Sequence, residues 1–293
     1  KILITLCLSF SLLLTSCSLG SGNSSTPTPE LPTSTPEPPT PTPQPMAVVV
    51  NGEGVPLVEY QASLLQYQQA LAAGGQTQSD ADQQEAVLQD LVNQTLLSQG
   101  AEEQGYTVDD ATVQLHIDAL VTQLGGQDAL NTWMAQYGYD ENSFRQALRR
   151  SIAATWMRDQ ITSAVPAEVE QVHARQILLL SQDLANEVYA ALEAGADFAT
   201  QAYYYDSLTG GDLGWFPRRY LTQLSIEDAA FSLEVGQYSQ VIDTDFGYHI
   251  IYVIDHQSSY PLTEDARLTL MRQALQYWID QRRTSATVES LLP

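Results

Sequence analysis

Lysine is all but missing from this chain. Lys1 is the only one, and 12 lysine and arginine residues face 35 aspartate and glutamate residues, for a formal net charge of −23 at pH 7. That balance excludes a nucleic-acid partner, because affinity for a phosphate backbone rests on Lys and Arg displacing its counterions. It also excludes adhesion of the protein surface to anionic headgroups, which takes clusters of basic residues. Cysteine is nearly as scarce: Cys7 and Cys17 are the only two, both near the start, so the remainder has neither disulfides nor a thiolate metal site. The histidines His116, His173, His249 and His256 fit no standard ligand spacing, so no metal and no cofactor is expected. The mostly apolar stretch at 2–14 is shorter than the roughly 20 residues a transmembrane helix needs.

What is present begins with a leader. Lys1, the apolar stretch and the small residues Thr15 and Ser16 make a secretory signal peptide over 1–16. Leu14-Thr15-Ser16-Cys17 resembles the lipobox of bacterial lipoproteins, which implies cleavage before Cys17 and a diacylglycerol on its thiol. A lone cysteine in an exported chain calls for such a reason. Residues 17–45 then read as a tether, since Thr-Pro repeats such as Thr26-Pro27-Thr28-Pro29 favour extended polyproline geometry and cannot form a core. Membrane contact is therefore expected through the lipid, with the folded body outside the cytoplasm.

The remainder is long enough for two domains. Ala47-Val48-Val49-Val50 followed by Asn51-Gly52 is a strand and turn, after which the period becomes helical. Leu57, Tyr60, Leu64, Tyr67 and Leu71 recur at steps of three and four; a second helix carries Val87, Leu91 and Leu96; a third is expected from near Thr107 to Gly125. Two more follow around 128–137 and 140–161. A last helix opens at Thr263 with Leu268, Met271, Leu275 and Trp278 along one stripe. A solitary amphipathic helix must bury that stripe, so 258–293 is expected to pack on the helices of 46–165. Val50-Asn51-Gly52, Val87-Leu88-Gln89-Asp90-Leu91-Val92 and Gly105-Tyr106-Thr107-Val108 together resemble the N-terminal domain of SurA- and PrsA-type chaperones.

Residues 166–257 alternate differently. Strand candidates at 172–180, 210–216, 238–244 and 248–255 are interleaved with helices after Ser181, after Asp197 and over 226–233. This βααβαββ order suggests an α+β domain with a small antiparallel four-stranded sheet and flanking helices. Three of its runs carry a resemblance: Gly210-Gly211-Asp212-Leu213-Gly214-Trp215-Phe216, Glu227-Asp228-Ala229-Ala230-Phe231 and Phe246-Gly247-Tyr248-His249-Ile250-Ile251. In this order they resemble the parvulin family of peptidyl-prolyl cis–trans isomerases.

The resemblance implies a chemistry that needs no nucleophile, metal or cofactor. Rotation about an X–Pro amide breaks no bond, and its barrier is amide resonance. A catalyst has only to bind the twisted amide better than either planar form. By correspondence of motifs, His249 and Thr244 take polar roles, and Leu213, Leu221, Ile226, Phe231 and Phe246 the apolar substrate-binding positions. Two departures stand out. The family's histidine in the first strand is Gln176, and the loop 205–211 is short, leaving Asp206 as the nearest candidate for its catalytic acid. His173 is no substitute for the missing histidine, being an odd number of residues from Gln176 on a strand. His116 and His256 are expected at the surface. Tyr203-Tyr204-Tyr205 reads equally as a peptide platform or as core and rim packing.

The function expected is a membrane-anchored foldase outside the cytoplasm. It would chaperone unfolded exported polypeptides and isomerise their X–Pro bonds. The alternative is a holdase that keeps the fold for binding and has lost useful catalysis, the reading that Gln176 favours. A solute-binding lipoprotein would need two lobes with parallel strands, which the pattern lacks.

Overall fold

The computed structural model describes residues 44–292; the signal peptide, Cys17 and most of the tether lie outside the described residues. The first hairpin pairs β1 (Met46–Val50) with β2 (Glu53–Pro56). Its two-residue turn places both Asn51 (φ 52°) and Gly52 (φ 86°) in the left-handed region, the geometry that follows strand twist and that Asn-Gly adopts at least cost. A third strand, β7 (Val288–Ser290), pairs with the free edge of β1 and was not legible in the sequence. Its residues are all exposed, so no apolar alternation marks it, and β1 supplies the pairing through its backbone.

Helices α1 (Leu57–Ala73), α2 (Asp80–Glu103), α3 (Asp110–Leu124), α4 (Gln127–Gln136) and α5 (Glu141–Ser163) follow. Several boundaries have a local cause. Ser79 accepts the backbone N–H of Asp82 at the start of α2, and Asp140 and Ser143 form a reciprocal capping box on α5. Helix α3 begins a few residues later than its periodicity implied, because Asp109 and not Thr107 caps it, by accepting the N–H of Thr112 at 2.8 Å. The last helix, α9 (Glu264–Ser285), packs on α2 and α5 across most of the chain's length. Ile279 joins Leu97, Ala153 and Met157 in one core cluster, and the Trp278 ring sits so close over Gly100 that a Cβ there would lie 2.6 Å from it. The buried stripe is not quite the expected one. Leu268 is exposed, while Ala266 and Ile279 are buried.

The second part runs β3 (Glu168–Leu179), α6 (Gln182–Glu193), α7 (Phe198–Tyr205), β4 (Asp212–Pro217), α8 (Leu224–Ser232), β5 (Ile242–Thr244) and β6 (Gly247–Pro261). Its strands form an antiparallel sheet in the order β4-β3-β6-β5. The two-residue period of β3 divides its side chains between two cores. Val172 and Ala174 face α8 with Phe216, Ile226 and Val253; Ile177 and Leu179 face α6 and α7 with Val188 and Phe198. Strands β3 and β6 extend beyond their expected ends as a two-stranded arm, from Glu168 opposite Pro261. The polar run His256 to Ser259 hid this extension, which the buried Gln171 side chain braces by donating to the carbonyls of Tyr260 and Pro261 at 2.7 and 3.1 Å. Strand β5 is shorter than expected, since Tyr238 makes only one isolated bridge, to Tyr252.

Candidate active site

The sheet brings three polar residues of the sequence reading together. Gln176 on β3 and His249 on β6 lie diagonally across adjacent strands, and Thr244 ends β5 beside them. His249 Nδ1 is 2.9 Å from Gln176 Oε1, and its Nε2 is 2.9 Å from Thr244 Oγ1. Thr244 Oγ1 also accepts the N–H of Phe246 at 3.2 Å and lies 3.0 Å from the carbonyl oxygen of Gly247, so the same hydroxyl shapes the β5–β6 turn. The His249 side chain is buried, and burial lowers its pKa below the ordinary histidine value. The ring is accordingly neutral at neutral pH.

A neutral ring has one N–H, and a threonine hydroxyl has one hydrogen. If the hydroxyl donates to Gly247, Nε2 must carry the ring proton, and Nδ1 then needs a donor. Gln176 supplies it by turning its amide half a rotation. If instead the hydroxyl donates to Nε2, Nδ1–H donates to Gln176 Oε1 as it stands. A glutamine can partner either tautomer, since one side chain holds both a donor and an acceptor. This is the physical sense in which it can occupy the position of a histidine.

Above these groups lies an open cleft of about 290 Å³. Leu213, Leu221, Ile226 and Phe246 wall it, and Gln176 and His249 line its polar side. Four of the five apolar residues expected to bind substrate therefore converge. Phe231 does not. It lies five positions after Ile226 on α8, about 140° around the helix at 100° per residue, and packs in the core shared by α8 and the sheet, edge-on to Phe216, with Arg218 4.2 Å above its ring. Asp206 also departs from expectation. Its carboxylate accepts the N–H groups of Leu208, Thr209 and Gly211 and the Thr209 hydroxyl, which builds the short turn after α7. Those bonds, the Thr209 hydroxyl foremost, hold its pKa at about 2. It contacts neither His249 nor the cleft wall, so it builds the turn and is not placed to act as an acid there.

Leu178, Thr222 and Gln223 line the cleft although the sequence reading passed over them. Leu178 could have been found, being two residues from Gln176 and so on the same face of β3. Glu227 was also missed as a supporting group. Its buried carboxylate accepts the N–H groups of Arg219, Tyr220 and Leu221 at 2.5, 2.9 and 3.0 Å, fixing the segment that carries Leu221.

The remaining histidines take no part. His173 lies on the opposite face of β3 with Asp212 at 2.8 Å, and His116 is exposed on α3. His256 is half-buried rather than fully exposed, 2.9 Å from Glu170 and edge-on to Phe231. Tyr203 and Tyr204 are exposed, Tyr205 partly buried. Among the described residues no cluster of His, Cys, Asp or Glu could hold a metal ion.

The arrangement sets an apolar cup beside a hydrogen-bonded imidazole. Comparison with known proteins identifies the domains that carry it. The model of the PPIC-type PPIASE domain matches residues 174–255, and that of the SurA-like N-terminal domain matches residues 2–158, more than half of the chain. The chain belongs to the SurA-like foldase family. Foldase protein PrsA of Geobacillus sp. is 29% identical over 220 residues, covering 70% of this chain and 75% of that one. Foldase protein PrsA of Caldanaerobacter subterraneus is 30% identical over 228 residues, covering 69% and 71%. Chaperone SurA of Chromobacterium violaceum is 33% identical over 156 residues, 46% of this chain and 36% of its own. This foldase carries a parvulin-type peptidyl-prolyl isomerase domain next to a helical SurA-like domain. Among its described residues no helix is long and apolar enough to cross a membrane.

Proposed function

We propose that this foldase works outside the cytoplasm on unfolded exported chains, anchored by a diacylglycerol on Cys17, and that His249, Gln176 and Thr244 form the polar side of its isomerase site. The observation that carries the reading is His249 bonded on both ring nitrogens at the edge of the apolar cleft. In the planar X–Pro amide, resonance places positive charge on nitrogen and negative charge on oxygen. Twisting removes that charge separation. An apolar cup of Leu213, Leu221, Ile226 and Phe246 would hold the proline ring, exclude water and so favour the less polar twisted form. In the arrangement where Nδ1–H donates to Gln176 Oε1, the Gln176 Nε2 is left to donate to the substrate amide.

The test is cis–trans exchange in a short Ala-Pro peptide, followed by NMR, with the full chain in detergent. The parent should accelerate exchange, and His249→Ala should lose about tenfold or more of kcat/KM, the effect of roughly 1.4 kcal/mol of transition-state stabilisation. A second reading, the holdase, draws on Gln176 and on Asp206 being committed to its turn. It would prevail if the parent suppressed aggregation of an unfolded client yet left the peptide's exchange rate unchanged.

The anchor has a separate test. Expressed with its leader in a bacterium, the chain should fractionate with membranes and yield an N-terminal peptide beginning at a lipid-modified Cys17. Cys17→Ala should release it. A parent already recovered as a soluble, unmodified chain would refute the anchor.

A further inference from the structure

Two residues other than glycine have a positive φ among the described residues, Asn51 at 52° and Arg219 at 67°. Asn51 needs it for its hairpin turn. Arg219 lies in the loop 218–223 between β4 and α8, where no hairpin calls for it. That backbone disfavours an L-residue roughly five- to thirtyfold, so other bonds must hold it. Glu227 on α8 accepts the N–H groups of Arg219 and Tyr220 at 2.5 and 2.9 Å, and the Arg219 carbonyl accepts Gln273 Nε2 at 2.5 Å. The peptide plane between Arg219 and Tyr220 is thus gripped at both ends, its N–H by the isomerase domain and its C=O by α9. We propose that Gln273 is a positioning residue for the isomerase cleft, through which the helical domain holds one wall of that cleft in place. The proposal rests on the isomerase reading of the cleft.

The mount for Gln273 is firm. Ile279, six residues further along α9, is buried with Leu97, Ala153 and Met157, and Leu275 and Trp278 pack against the same cluster. The matched isomerase domain ends at residue 255, so α9 lies wholly outside it. Facing a carbonyl oxygen, only the amide nitrogen of Gln273 makes a bond, which fixes the orientation of its side chain.

The other end of the link is the cleft itself. Leu221, Thr222 and Gln223 follow the gripped plane directly, and all three line the cleft. Without the Gln273 bond, the plane between Arg219 and Tyr220 is free to turn over and release Arg219 towards the right-handed region. That turn takes the Tyr220 N–H away from Glu227 and moves Leu221 off the cup. One hydrogen bond of ordinary net strength shifts such a balance about fivefold, which is comparable with the bias against Arg219.

The experiment follows Ala-Pro exchange by NMR with the full chain in detergent, comparing Gln273→Met with the parent. Methionine keeps the length and apolar stem of glutamine and removes the donor. It should lower kcat/KM about fivefold. A change in α9 that merely loosened the fold would also lower the rate, so the deciding step repeats Gln273→Met on an Arg219→Gly background. Glycine takes the left-handed conformation without steric cost. The wall then no longer depends on the clamp, and Gln273→Met should cost less than twofold. A parent rate kept by Gln273→Met, or an equal fractional loss on both backgrounds, would overturn the proposal while leaving the isomerase reading intact. A parent that accelerates no exchange would overturn both.

Discussion

Arg150→Met is expected to destabilise the helical domain by about 3–5 kcal/mol, the range for breaking one side of a buried ion pair. Arg150 on α5 and Glu59 on α1 are only 6% and 4% exposed at their side chains. The guanidinium Nη1 reaches both carboxylate oxygens of Glu59, at 2.7 and 2.6 Å, and its Nε lies 3.2 Å from Glu53 on β2. Burial opposes the arginine charge, but the two carboxylates outweigh it and hold its pKa above the ordinary value. Removing the cation leaves Glu59 buried without a partner, and its desolvation is then uncompensated. Adding Glu59→Leu should recover most of the loss, because a well-packed apolar pair of similar volume is often no worse than a buried ion pair. Urea unfolding of the parent, both single variants and the double variant measures the coupling. A loss below about 1 kcal/mol for Arg150→Met would refute the account, since that is the worth of an exposed pair. Peptide exchange, housed in the other domain, should persist in conditions where Arg150→Met stays folded.

This ion pair also marks what a sequence conceals. Several helix positions were legible because they carry local causes: Ser79, Asp140 and Thr263 cap three of them through their own side chains. The isomerase sheet was legible because Gly210 to Phe216 and Phe246 to Ile251 form recognisable runs. Contacts that join distant segments left no such mark. Arg150, Glu53 and Glu59 lie on three elements, and nothing in their spacing announces that they meet. Strand β7 has no apolar period of its own and exists because β1 offers an edge. Within the site, the alternation of β3 placed Gln176 correctly, yet Phe231 was assigned by motif alone and its helical angle turns it into the core. Asp206 was named for its place in the chain. Its bonds to the 208–211 turn form only once that loop has folded, and they decide its role.

Gly211→Ala should be the most damaging single methyl in the isomerase domain, while the same change at Gly214 should be mild. The two glycines share a backbone conformation, φ 69° and 68°, in the left-handed region that costs an L-residue roughly 1–2 kcal/mol. Their surroundings differ. A Cβ at Gly214 meets nothing within 4 Å, but one at Gly211 would lie 1.9 Å from the carbonyl oxygen of Gln176 and 3.0 Å from its carbon. These are backbone atoms, so no rotamer change relieves the clash. The strands must separate where the Gln176 N–H donates to the Gly211 carbonyl at 2.8 Å. Conformational strain and overpacking together should cost about 3 kcal/mol or more for Gly211→Ala, against about 1 for Gly214→Ala. Displacing the Gln176 backbone also carries its side chain away from His249 Nδ1. In protein that remains folded, Gly211→Ala should therefore lose about tenfold of kcat/KM on an Ala-Pro peptide, while Gly214→Ala keeps its rate. Urea unfolding and peptide exchange on the two variants separate the effects. If both lost stability equally and kept their rates, the close approach of Gly211 to Gln176 would have no part in holding the site. If Gly211→Ala alone failed in both, the placement of Gln176 would be traced to one missing methyl group on the neighbouring strand.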